Sequence, residues 1–347
     1  MLCLKAECAS GDIKDRILSD KVITVQDLTK VYPRVRAVDG ISFTVNEGEI
    51  FGLLGPNGAG KTTTLRMLLT LIKPTAGTIN VFGIDAIAHP QKVRQVAGYV
   101  PQDVSVDGEL TGYENILMYS KLYGVPAGIR SQRIKETLEY LDLQDRAGDM
   151  VSTYSGGMMR KLEIAQALVN RPGILFLDEL SIGLDPNAKR IIWELVRKLR
   201  DESATTILLS THDMTEADIL CDRIGIMDKG KLVTLGQPSQ LKSNMGGDVL
   251  TIGSKTPSCS AKLKELGYTV LSESTEGYID LLVSEGEKLI PHLLEALRAS
   301  GVEVEAVSLK KPTLDDVFLK YTGARIDSGE SWMETRRARR TFRRLAR

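Results

Sequence analysis

Short apolar runs alternate with helical patterns along much of this chain, and the alternation predicts a parallel sheet flanked by helices. Glu49–Leu54 and Gly173–Glu179 are nearly continuous in apolar residues, which is typical of central strands buried on both faces. Thr205–Ser210 predicts another buried strand, and Thr78–Gly83 and Val96–Asp103 predict strands that end in turns. The pattern therefore indicates an α/β fold.

Helical periodicity predicts the segments that connect these strands. Lys61–Ile72 and Asn187–Arg200 each have the spacing of a packed helix. Residues 111–169 are helical without an intervening strand, which predicts a helical insertion at about residues 104–168. Its last helix begins at Ser155, where a hydroxyl and two glycine N–H groups are suited either to capping a helix or to binding an anion.

The two ends of this patterned region differ from its middle. Val22–Val25 and Ile41–Val45 alternate in the manner of paired strands, with a turn expected at Asp39-Gly40. After residue 245, the order strand, helix, strand, strand, helix, strand predicts a small ferredoxin-like α+β domain. The predicted elements are Asp248–Gly253, Ser258–Leu266, Tyr268–Glu273, Gly277–Val283, Gly286–Ser300 and Val302–Leu309.

The sequence thus divides into four predicted parts. They are an N-terminal extension (1–20), the α/β domain (21–245), the α+β domain (246–323) and a basic tail (324–347). Within the tail, seven arginines against one glutamate give residues 331–347 a net charge of +6. Three interpretations of the tail stay open: a solvated segment, a basic amphipathic segment that lies on an anionic membrane surface, or a basic segment that binds an acidic face of a membrane-embedded partner subunit.

Charge and composition narrow the class of protein. The 45 basic and 45 acidic residues balance, which argues against a dedicated nucleic-acid-binding protein. No apolar run approaches the ~18 residues of a membrane span, and no secretory signal is visible. The cysteines lack the paired spacing of a metal site and are expected to be reduced thiols of a cytosolic protein. They are Cys3, Cys8, Cys221 and Cys259.

A glycine-rich segment after the first buried strand fits the phosphate-binding pattern G-x-x-x-x-G-K-[ST]. It comprises Gly55, Pro56, Asn57, Gly58, Ala59, Gly60, Lys61 and Thr62, and Thr63 follows. The glycines let successive N–H groups point at phosphate oxygens, Lys61 can reach the β- and γ-phosphates, and Thr62 can hold Mg²⁺. The preceding strand and the following helix are the context that such a site requires.

Polar residues follow two more predicted strands, at the edge where α/β sheets bind ligands. Asp178 and Glu179 end one strand, and they are candidates for an Mg²⁺ ligand and a general base. His212 lies just past the next strand, within reach of a γ-phosphate. Structural interpretations stay open for each: the acids can cap a helix, the histidine can satisfy a turn, and Tyr32 can either stack on an adenine ring or simply pack.

In this order, the segments together resemble the ATP-binding subunit of an ABC transporter over about residues 22–240. The resemblance implies that Tyr32 stacks on adenine and that Gly55–Thr63 form the Walker A motif. It implies that Gln102 is the Q-loop glutamine, which touches Mg²⁺ and the attacking water. Ser155, Gly156 and Gly157 match the signature motif, which contacts ATP held by the opposite subunit.

The resemblance also assigns the acids. Asp178 and Glu179 match the Walker B pair, Asp185 matches the D-loop aspartate, and His212 matches the switch histidine that grips the γ-phosphate. The implied catalytic residues are Glu179, His212 and Gln102, and the implied metal ligands are Thr62, Gln102 and Asp178. From the residues alone, Asp185-Pro186 also reads as the N-cap and first residue of a helix.

Two positions depart from the family pattern. The usual Leu-Ser-Gly-Gly-Gln is Tyr154-Ser155-Gly156-Gly157-Met158 here, so the polar fifth side chain is missing. The usual proline after the catalytic glutamate is Leu180, followed by Ser181, which predicts a less rigid loop around Glu179. The serine and backbone contacts of the signature should survive these changes.

The fold implied is therefore α/β, a P-loop NTPase of the ABC type with a helical insert, followed by the α+β domain. Pro312–Leu319 looks like the closing helix of the drug-export, daunorubicin-resistance type of ATP-binding subunit. The resemblance implies ATP as substrate, Mg²⁺ as cofactor and ATP hydrolysis that powers export. It also implies a paired ATPase subunit, because the chain has one phosphate loop and one signature.

The same resemblance implies a separate transmembrane permease as partner, a peripheral location on the cytoplasmic side of the membrane, and no nucleic acid. Two alternatives stay open. One is an ABC ATPase without a membrane partner, although such proteins usually carry two cassettes or long coiled coils, which this chain lacks. The other is a P-loop kinase or GTPase, against which the Ser155 motif and Glu179 both argue.

Overall fold

A computed structural model describes residues 21–256, 258–274 and 277–322. The predicted N-terminal extension and the predicted basic tail lie outside the described residues, so their assignments stay predictions. The described residues fall into two compact units, 21–236 and 237–322. Among the described residues, no helix has the length and apolar content needed to cross a membrane.

Ten strands and seven helices are described for the first unit. The strands are β1 Lys21–Tyr32, β2 Val35–Asn46, β3 Ile50–Leu54, β4 Ala76–Val81, β5 Ile84–Asp85, β6 Ala97–Val100, β7 Ile174–Asp178, β8 Thr206–Thr211, β9 Arg223–Asp228 and β10 Lys231–Gly236. The helices are α1 Lys61–Leu68, α2 Pro90–Val96, α3 Gly112–Leu122, α4 Ala127–Tyr140, α5 Gly156–Leu168, α6 Pro186–Ser203 and α7 Met214–Leu220.

A six-stranded sheet in the order β10-β9-β3-β8-β7-β6 forms the centre of this unit. The pairs β9-β3, β3-β8, β8-β7 and β7-β6 are parallel, and β10 joins antiparallel to β9. Every residue of β3, β7 and β8 is buried. The α/β prediction and the three continuous apolar strands are therefore confirmed, while the sequence pattern did not predict β9 and β10.

A second sheet, in the order β2-β1-β4-β5, is antiparallel and packs on the first. The rings of Phe43 and Phe51, from β2 and β3, stack at 5.3 Å and join the two sheets in one core. The turn predicted at Asp39-Gly40 is wrong, because β1 and β2 are joined at residues 33–34. Gly40 instead has φ +63° at an irregularity in the β1-β2 ladder, a conformation that suits glycine.

The first helix is shorter than predicted. It ends at Leu68, because Thr70 adopts a left-handed φ of +58°. Thr70 N then donates to Met67 O (3.0 Å) and Leu71 N to Arg66 O (2.8 Å), which satisfies the last carbonyls of the helix in a Schellman arrangement. Apolar periodicity continues past Leu68 in the sequence, which is why the sequence predicts a helix that extends to Ile72.

The predicted helices between β6 and β7 are observed as α3, α4 and α5. Thr111 and Glu114 form a reciprocal capping box at the start of α3, as the capped start in the sequence predicts. Ser155 caps α5, accepting a hydrogen bond from Met158 N at 3.2 Å. Apolar residues of α5 face the core, but so does a row of polar residues that the sequence pattern did not reveal.

The second unit confirms the ferredoxin-like prediction. Its elements are α8 Pro238–Ser243, β11 Asp248–Gly253, α9 Cys259–Glu265, β12 Thr269–Glu273, β13 Tyr278–Val283, α10 Gly286–Ala299, β14 Ala306–Lys310 and α11 Leu314–Thr322. The strands pair antiparallel in the order β12-β13-β11-β14. Leu250, Ile252, Leu281 and Leu297 are fully buried between this sheet and its helices, and these side chains supply much of the unit's core.

Candidate active site

Four neighbouring parallel strands of the central sheet end at one edge, and a predicted site residue follows each of them. β3 leads into the glycine-rich loop, β8 into His212, and β6 into Gln102, while β7 ends in Asp178 and is followed by Glu179. Parallel strands present their carboxyl ends on the same side, so the topology gathers residues that are far apart in sequence. The structure therefore brings the predicted catalytic groups to one edge.

The glycine-rich loop is shaped by its packing. Gly58 and Gly60 have φ values of +83° and +105°, in the left-handed region that favours glycine. A Cβ at Gly60 would lie 2.5 Å from Ala37 O, and one at Gly55 would lie 2.3 Å from Met227 O. The loop leads into α1, which begins without a side-chain cap and without an acidic residue in its first turn. This is the arrangement in which a helix N-terminus binds an anion.

Lys61 is buried, with 4% of its surface exposed. Its Nζ donates to Gly55 O at 2.8 Å and to Pro56 O at 3.2 Å, and it lies 3.2 Å from Glu179 Oε1. A buried ammonium is costly unless it is paired and hydrogen-bonded, and these contacts meet that need. Lys61 therefore links the loop after β3 to the carboxylate after β7.

Glu179 also contacts His212, whose Nδ1 lies 2.6 Å from Glu179 Oε2. Burial tends to raise the pKa of Glu179, but the hydrogen bond from His212 and the charge of Lys61 outweigh burial and lower it. The hydrogen bond to Glu179 in turn raises the pKa of His212. The lowered pKa of Glu179 and the raised pKa of His212 both favour an ionised Glu179, which is the form that a general base requires.

The backbone of Glu179 is itself unusual. Its φ is +51°, in the left-handed region that residues with a Cβ rarely adopt. Glu179 N donates to Ser210 O at 3.0 Å, and this bond helps to hold the peptide in place. A strained conformation of this kind costs roughly 1 kcal/mol or more, so the surrounding packing must hold it.

The loop after Glu179 is buried, although Leu180 replaces the proline that is usual in the family. Leu180 and Ser181 are only 1% and 4% exposed. Ser181 lies beside the buried carboxyl of Glu216, which accepts a hydrogen bond from Trp193 Nε1 at 2.9 Å. Burial raises the pKa of Glu216. The lower rigidity that the absent proline predicts for this loop stays a prediction.

Asp178 and Thr62 form a second cluster beside the first. Thr62 Oγ1 donates to Asp178 Oδ1 at 3.1 Å, and Ser210 Oγ donates to the same oxygen. Asp178 Oδ2 is buried and has no hydrogen-bond partner among the described residues. Burial raises the pKa of Asp178 in this arrangement. An orphaned carboxylate oxygen beside a hydroxyl provides the hard oxygen donors that Mg²⁺ prefers, so the residues present fit that ion.

Sequence reasoning missed two residues that contact Asp178. Ser210 is the polar residue that ends the predicted strand Thr205–Ser210 after three apolar residues, and that position was the signal available. Tyr99 lies on β6, and burial, followed by the charge of Asp178, raises the pKa of Tyr99 to about 12. The side chains of Asp178 and of Arg66 in α1 both lie near its hydroxyl. Only the pairing of β6 with β7 brings Tyr99 near Asp178, and that pairing is a tertiary feature.

The remaining predicted residues lie around this centre. Tyr32 is 39% exposed at the end of β1, and Lys30 Nζ lies 5.2 Å from the centre of its ring. Asp185 caps α6, accepting from Asn187 N and Ala188 N at 3.0 Å each, which confirms the capping interpretation. Ser155, at the start of α5, is exposed, and its described hydrogen bond stays within its own helix.

Comparison with known protein families assigns both units. Residues 38–181 match the family "ABC transporter", and residues 236–322 match "ATP-binding protein DrrA1-3-like, C-terminal domain". The daunorubicin/doxorubicin resistance ATP-binding protein DrrA of Streptomyces peucetius is 39% identical to this chain, over 87% of this chain and 93% of that protein. The Nod factor export ATP-binding protein I of Ralstonia nicotianae is also 39% identical, over 88% and 95%.

A solved structure gives the same assignment for the first unit. It is a dimeric ATP-binding cassette in a post-hydrolysis state, bound to ADP and Pi. Its similarity covers 62% of this chain and 98% of the solved chain, with a TM-score of 0.56 and 27% sequence identity. The similarity therefore extends over nearly the whole of an isolated ATP-binding cassette.

Proposed function

This chain belongs to the ATP-binding proteins of the ABC transporter family, and on that premise we propose that it is the ATP-hydrolysing subunit of an exporter that acts with a separate transmembrane permease. Members of the family bind and hydrolyse ATP, and relatives of this chain carry names that refer to drug resistance and Nod factor export. The complete transporter selects the transported compound, and the permease takes part in that selection.

One observation carries the proposal: the chain of contacts from Lys61 through Glu179 to His212. A phosphate-binding lysine, a buried carboxylate and a histidine meet at the carboxyl ends of β3, β7 and β8. In our proposal, the γ-phosphate takes the place of Glu179 and the loop carbonyls as the partner of Lys61. Glu179 is then free to orient and deprotonate water, while His212 contacts the γ-phosphate.

The other predicted residues act around this chain. Gly55 to Thr63 cradle the phosphates through backbone N–H groups, and the ring of Tyr32 stacks on the adenine. Thr62, Asp178 and Gln102 would hold Mg²⁺, which when bound neutralises negative charge on the β- and γ-phosphates. Ser210 and Tyr99 position the carboxylate of Asp178 for this task.

We assign the signature residues to a second subunit's ATP. Ser155, Gly156 and Gly157 lie at the start of α5, where Ser155 is exposed. The described hydrogen bond of Ser155 stays within α5 and does not reach the phosphate loop of its own subunit. Asp185 follows the Glu179 loop and belongs to the same subunit contact. The dimeric cassette similar to this chain supports an arrangement in which two copies, or this chain and a paired ATPase, complete each other's sites.

The chain has two domains with a segment at each end, and it works at the membrane. The predicted ATP-binding domain (21–245) and the predicted smaller domain (246–323), which is like that of the daunorubicin-resistance proteins, correspond to the two units described above, except that α8 belongs to the second unit. The extension at 1–20 and the tail at 324–347 flank them. We place the assembled protein at the cytoplasmic face of the membrane, held there by the permease, with no nucleic acid among its partners.

Phosphate release by the purified chain tests the catalytic part of this proposal. With Mg²⁺ and ATP, the parent should release inorganic phosphate, and Lys61→Ala and Glu179→Gln should each release far less. Release that is equal in parent and both variants would come from another enzyme and would contradict the proposal. Co-purification of the tagged chain with a polytopic membrane protein encoded beside it tests the permease partner.

A further inference from the structure

Helix α5 buries a row of three polar side chains. Arg160, Glu163 and Gln166 are spaced at i, i+3 and i+6, and they are 0%, 1% and 1% exposed. This spacing places them along one face of the helix. Because buried polar groups are costly unless hydrogen-bonded, the partners of these side chains reveal what the row does.

Arg160 and Glu163 hold the loop that contains Gln102 from both sides. Arg160 Nη1 donates to Pro101 O at 3.0 Å and to Glu163 Oε2 at 2.8 Å. Glu163 Oε1 accepts from Ser105 N at 2.6 Å and from Ser105 Oγ at 3.1 Å. The ion pair therefore grips the residue just before Gln102 and a residue shortly after it.

Gln166 extends the attachment further along the same segment. Its Nε2 donates to Asn115 Oδ1 at 3.2 Å. Asn115 is fully buried, and it accepts from Asp107 N at 2.9 Å and donates to Asp107 O and Thr111 O at 2.9 and 3.1 Å. The path from the end of β6 to the start of α3 is thus hydrogen-bonded to one face of α5.

Energetics indicate that this row does more than stabilise the fold. A fully buried ion pair is often no more stabilising than apolar residues of the same volume, because desolvation offsets the attraction. Burial raises the pKa of Glu163, which Arg160 and Ser105 oppose. Hydrogen bonds are directional, however, and apolar packing is not. The network therefore ties the position of the Gln102 loop to the position of α5.

We propose that Arg160 and Glu163 are positioning residues that couple the loop carrying Gln102 to the helix that begins at Ser155. The inference rests on the proposed function, which assigns Gln102 to the subunit's own ATP and Ser155 to the opposite ATP. A shift of the loop when nucleotide binds moves α5 through Pro101 O and Ser105 N. Nucleotide in one site thereby adjusts the signature residues offered to the other.

The first test compares Glu163→Gln with a matched control, Glu49→Gln. Glu49 is also buried, at 8% exposed, and accepts from a backbone N–H (Asn46, 2.7 Å) and from an arginine (Arg223, 3.0 Å), but it lies on no path to Gln102. We expect Glu163→Gln to lower kcat for ATP hydrolysis about tenfold, with KM for ATP within about twofold of the parent. Glu49→Gln should change neither constant by more than about twofold.

Hydrogen exchange of the full chain measures the coupling itself. In the parent, Mg²⁺-ATP should slow amide exchange both in a peptide covering residues 101–107 and in one covering 155–161. In Glu163→Gln the first peptide should still respond, while the response of the second should fall by at least half. Equal responses of both peptides in parent and variant would overturn the inference.

A second variant guards against simple unfolding. Arg160→Met together with Glu163→Leu removes both charges and fills the space with apolar groups, so the protein should stay folded. It lacks the bonds to Pro101 O and Ser105 N, and we expect the same loss of hydrolysis and of coupled exchange. Parent-like hydrolysis by this double variant would overturn the inference about Arg160 and Glu163 and would leave the proposed function intact. A parent that neither binds nor hydrolyses ATP would overturn the proposed function, and this inference with it.

Discussion

Glu179 Oε2 lies 2.6 Å from His212 Nδ1, so the carboxylate that follows strand β7 is joined to the imidazole that follows strand β8. Lys61 Nζ lies 3.2 Å from the other carboxylate oxygen. Glu179 is 5% exposed, and two basic groups therefore share a buried negative charge. On the proposed function, the phosphates of ATP compete with Glu179 for Lys61.

Lys61→Ala should weaken ATP binding at least about tenfold, because it removes charge-assisted hydrogen bonds worth roughly 1.5–3 kcal/mol each. Isothermal titration calorimetry with ATP measures the change in Kd directly. Lys231→Ala is the control, since this lysine side chain is 67% exposed on β10 and should not affect the affinity. Unchanged affinity in Lys61→Ala would mean that the phosphates bind elsewhere.

The titration of His212 reports its contact with Glu179. Because the hydrogen bond raises the pKa of His212 above its ordinary value of 6.5, Glu179→Gln should lower this pKa in the nucleotide-free protein. The chain has three histidines, and NMR can follow each ring, with His212→Gln identifying the signal. A His212 signal that titrates alike in parent and Glu179→Gln would show that the two side chains are apart in solution.

The same pair makes stability depend on pH. A group whose pKa is raised on folding stabilises the folded protein fully below its unfolded pKa, here near 6.5, and loses that contribution as pH rises through the raised value. Urea unfolding of the parent and of His212→Gln should therefore give a difference in free energy that shrinks as pH increases above 6.5. A difference that grows over this range would contradict the assigned direction.

Ser210→Ala should raise the Mg²⁺ concentration needed for half-maximal hydrolysis, by about tenfold for a lost partner of a metal-binding carboxylate. The substitution removes a donor to Asp178 and leaves that buried carboxylate less well oriented. Ser120→Ala is the control, because its hydroxyl is equally buried but donates within α3, to Leu117 O at 2.7 Å. Identical Mg²⁺ dependence in parent and Ser210→Ala would remove Ser210 from this role.

Ser155→Arg should abolish most hydrolysis while leaving ATP binding by the monomer within about twofold. A large side chain at the start of α5 blocks the approach of a second subunit, and Ser155→Ala controls for the lost helix cap, which costs ~1 kcal/mol. Mixed with Lys61→Ala, the variant should restore at most one working site per dimer. Full hydrolysis by a strictly monomeric preparation would refute the composite site.

Apolar patterning and motif spacing were sufficient to predict much of this structure. The buried strands β3, β7 and β8 have the continuous apolar runs that are typical of central parallel strands, and the antiparallel sheet of the second unit follows from the order of its elements. The glycine-rich loop, Asp178, Glu179 and His212 could be proposed as a group because each follows a strand. Their meeting at one edge is then a consequence of parallel pairing.

Other features depend on tertiary contacts and left no local signal. The hairpin turn was predicted at Asp39-Gly40 because the dipeptide is typical of turns, yet the irregular β1-β2 pairing uses Gly40 inside a strand. The contact of Tyr99 with Asp178 depends on the neighbouring strands β6 and β7. The local sequence does not mark Arg160 and Glu163 as buried, because their hydrogen-bond partners Pro101 and Ser105 lie in the loop after β6, about 60 residues earlier.

Glu179→Gln tests the central claim most directly. It keeps the shape of the side chain and removes the charge that activates water, so ATP should bind with Kd within about threefold of the parent while turnover falls at least about a hundredfold. Light scattering coupled to size exclusion in Mg²⁺-ATP should then show a stable dimer, which disperses when ATP is replaced by ADP. Turnover within about threefold of the parent, with no ATP-dependent dimer, would contradict the account.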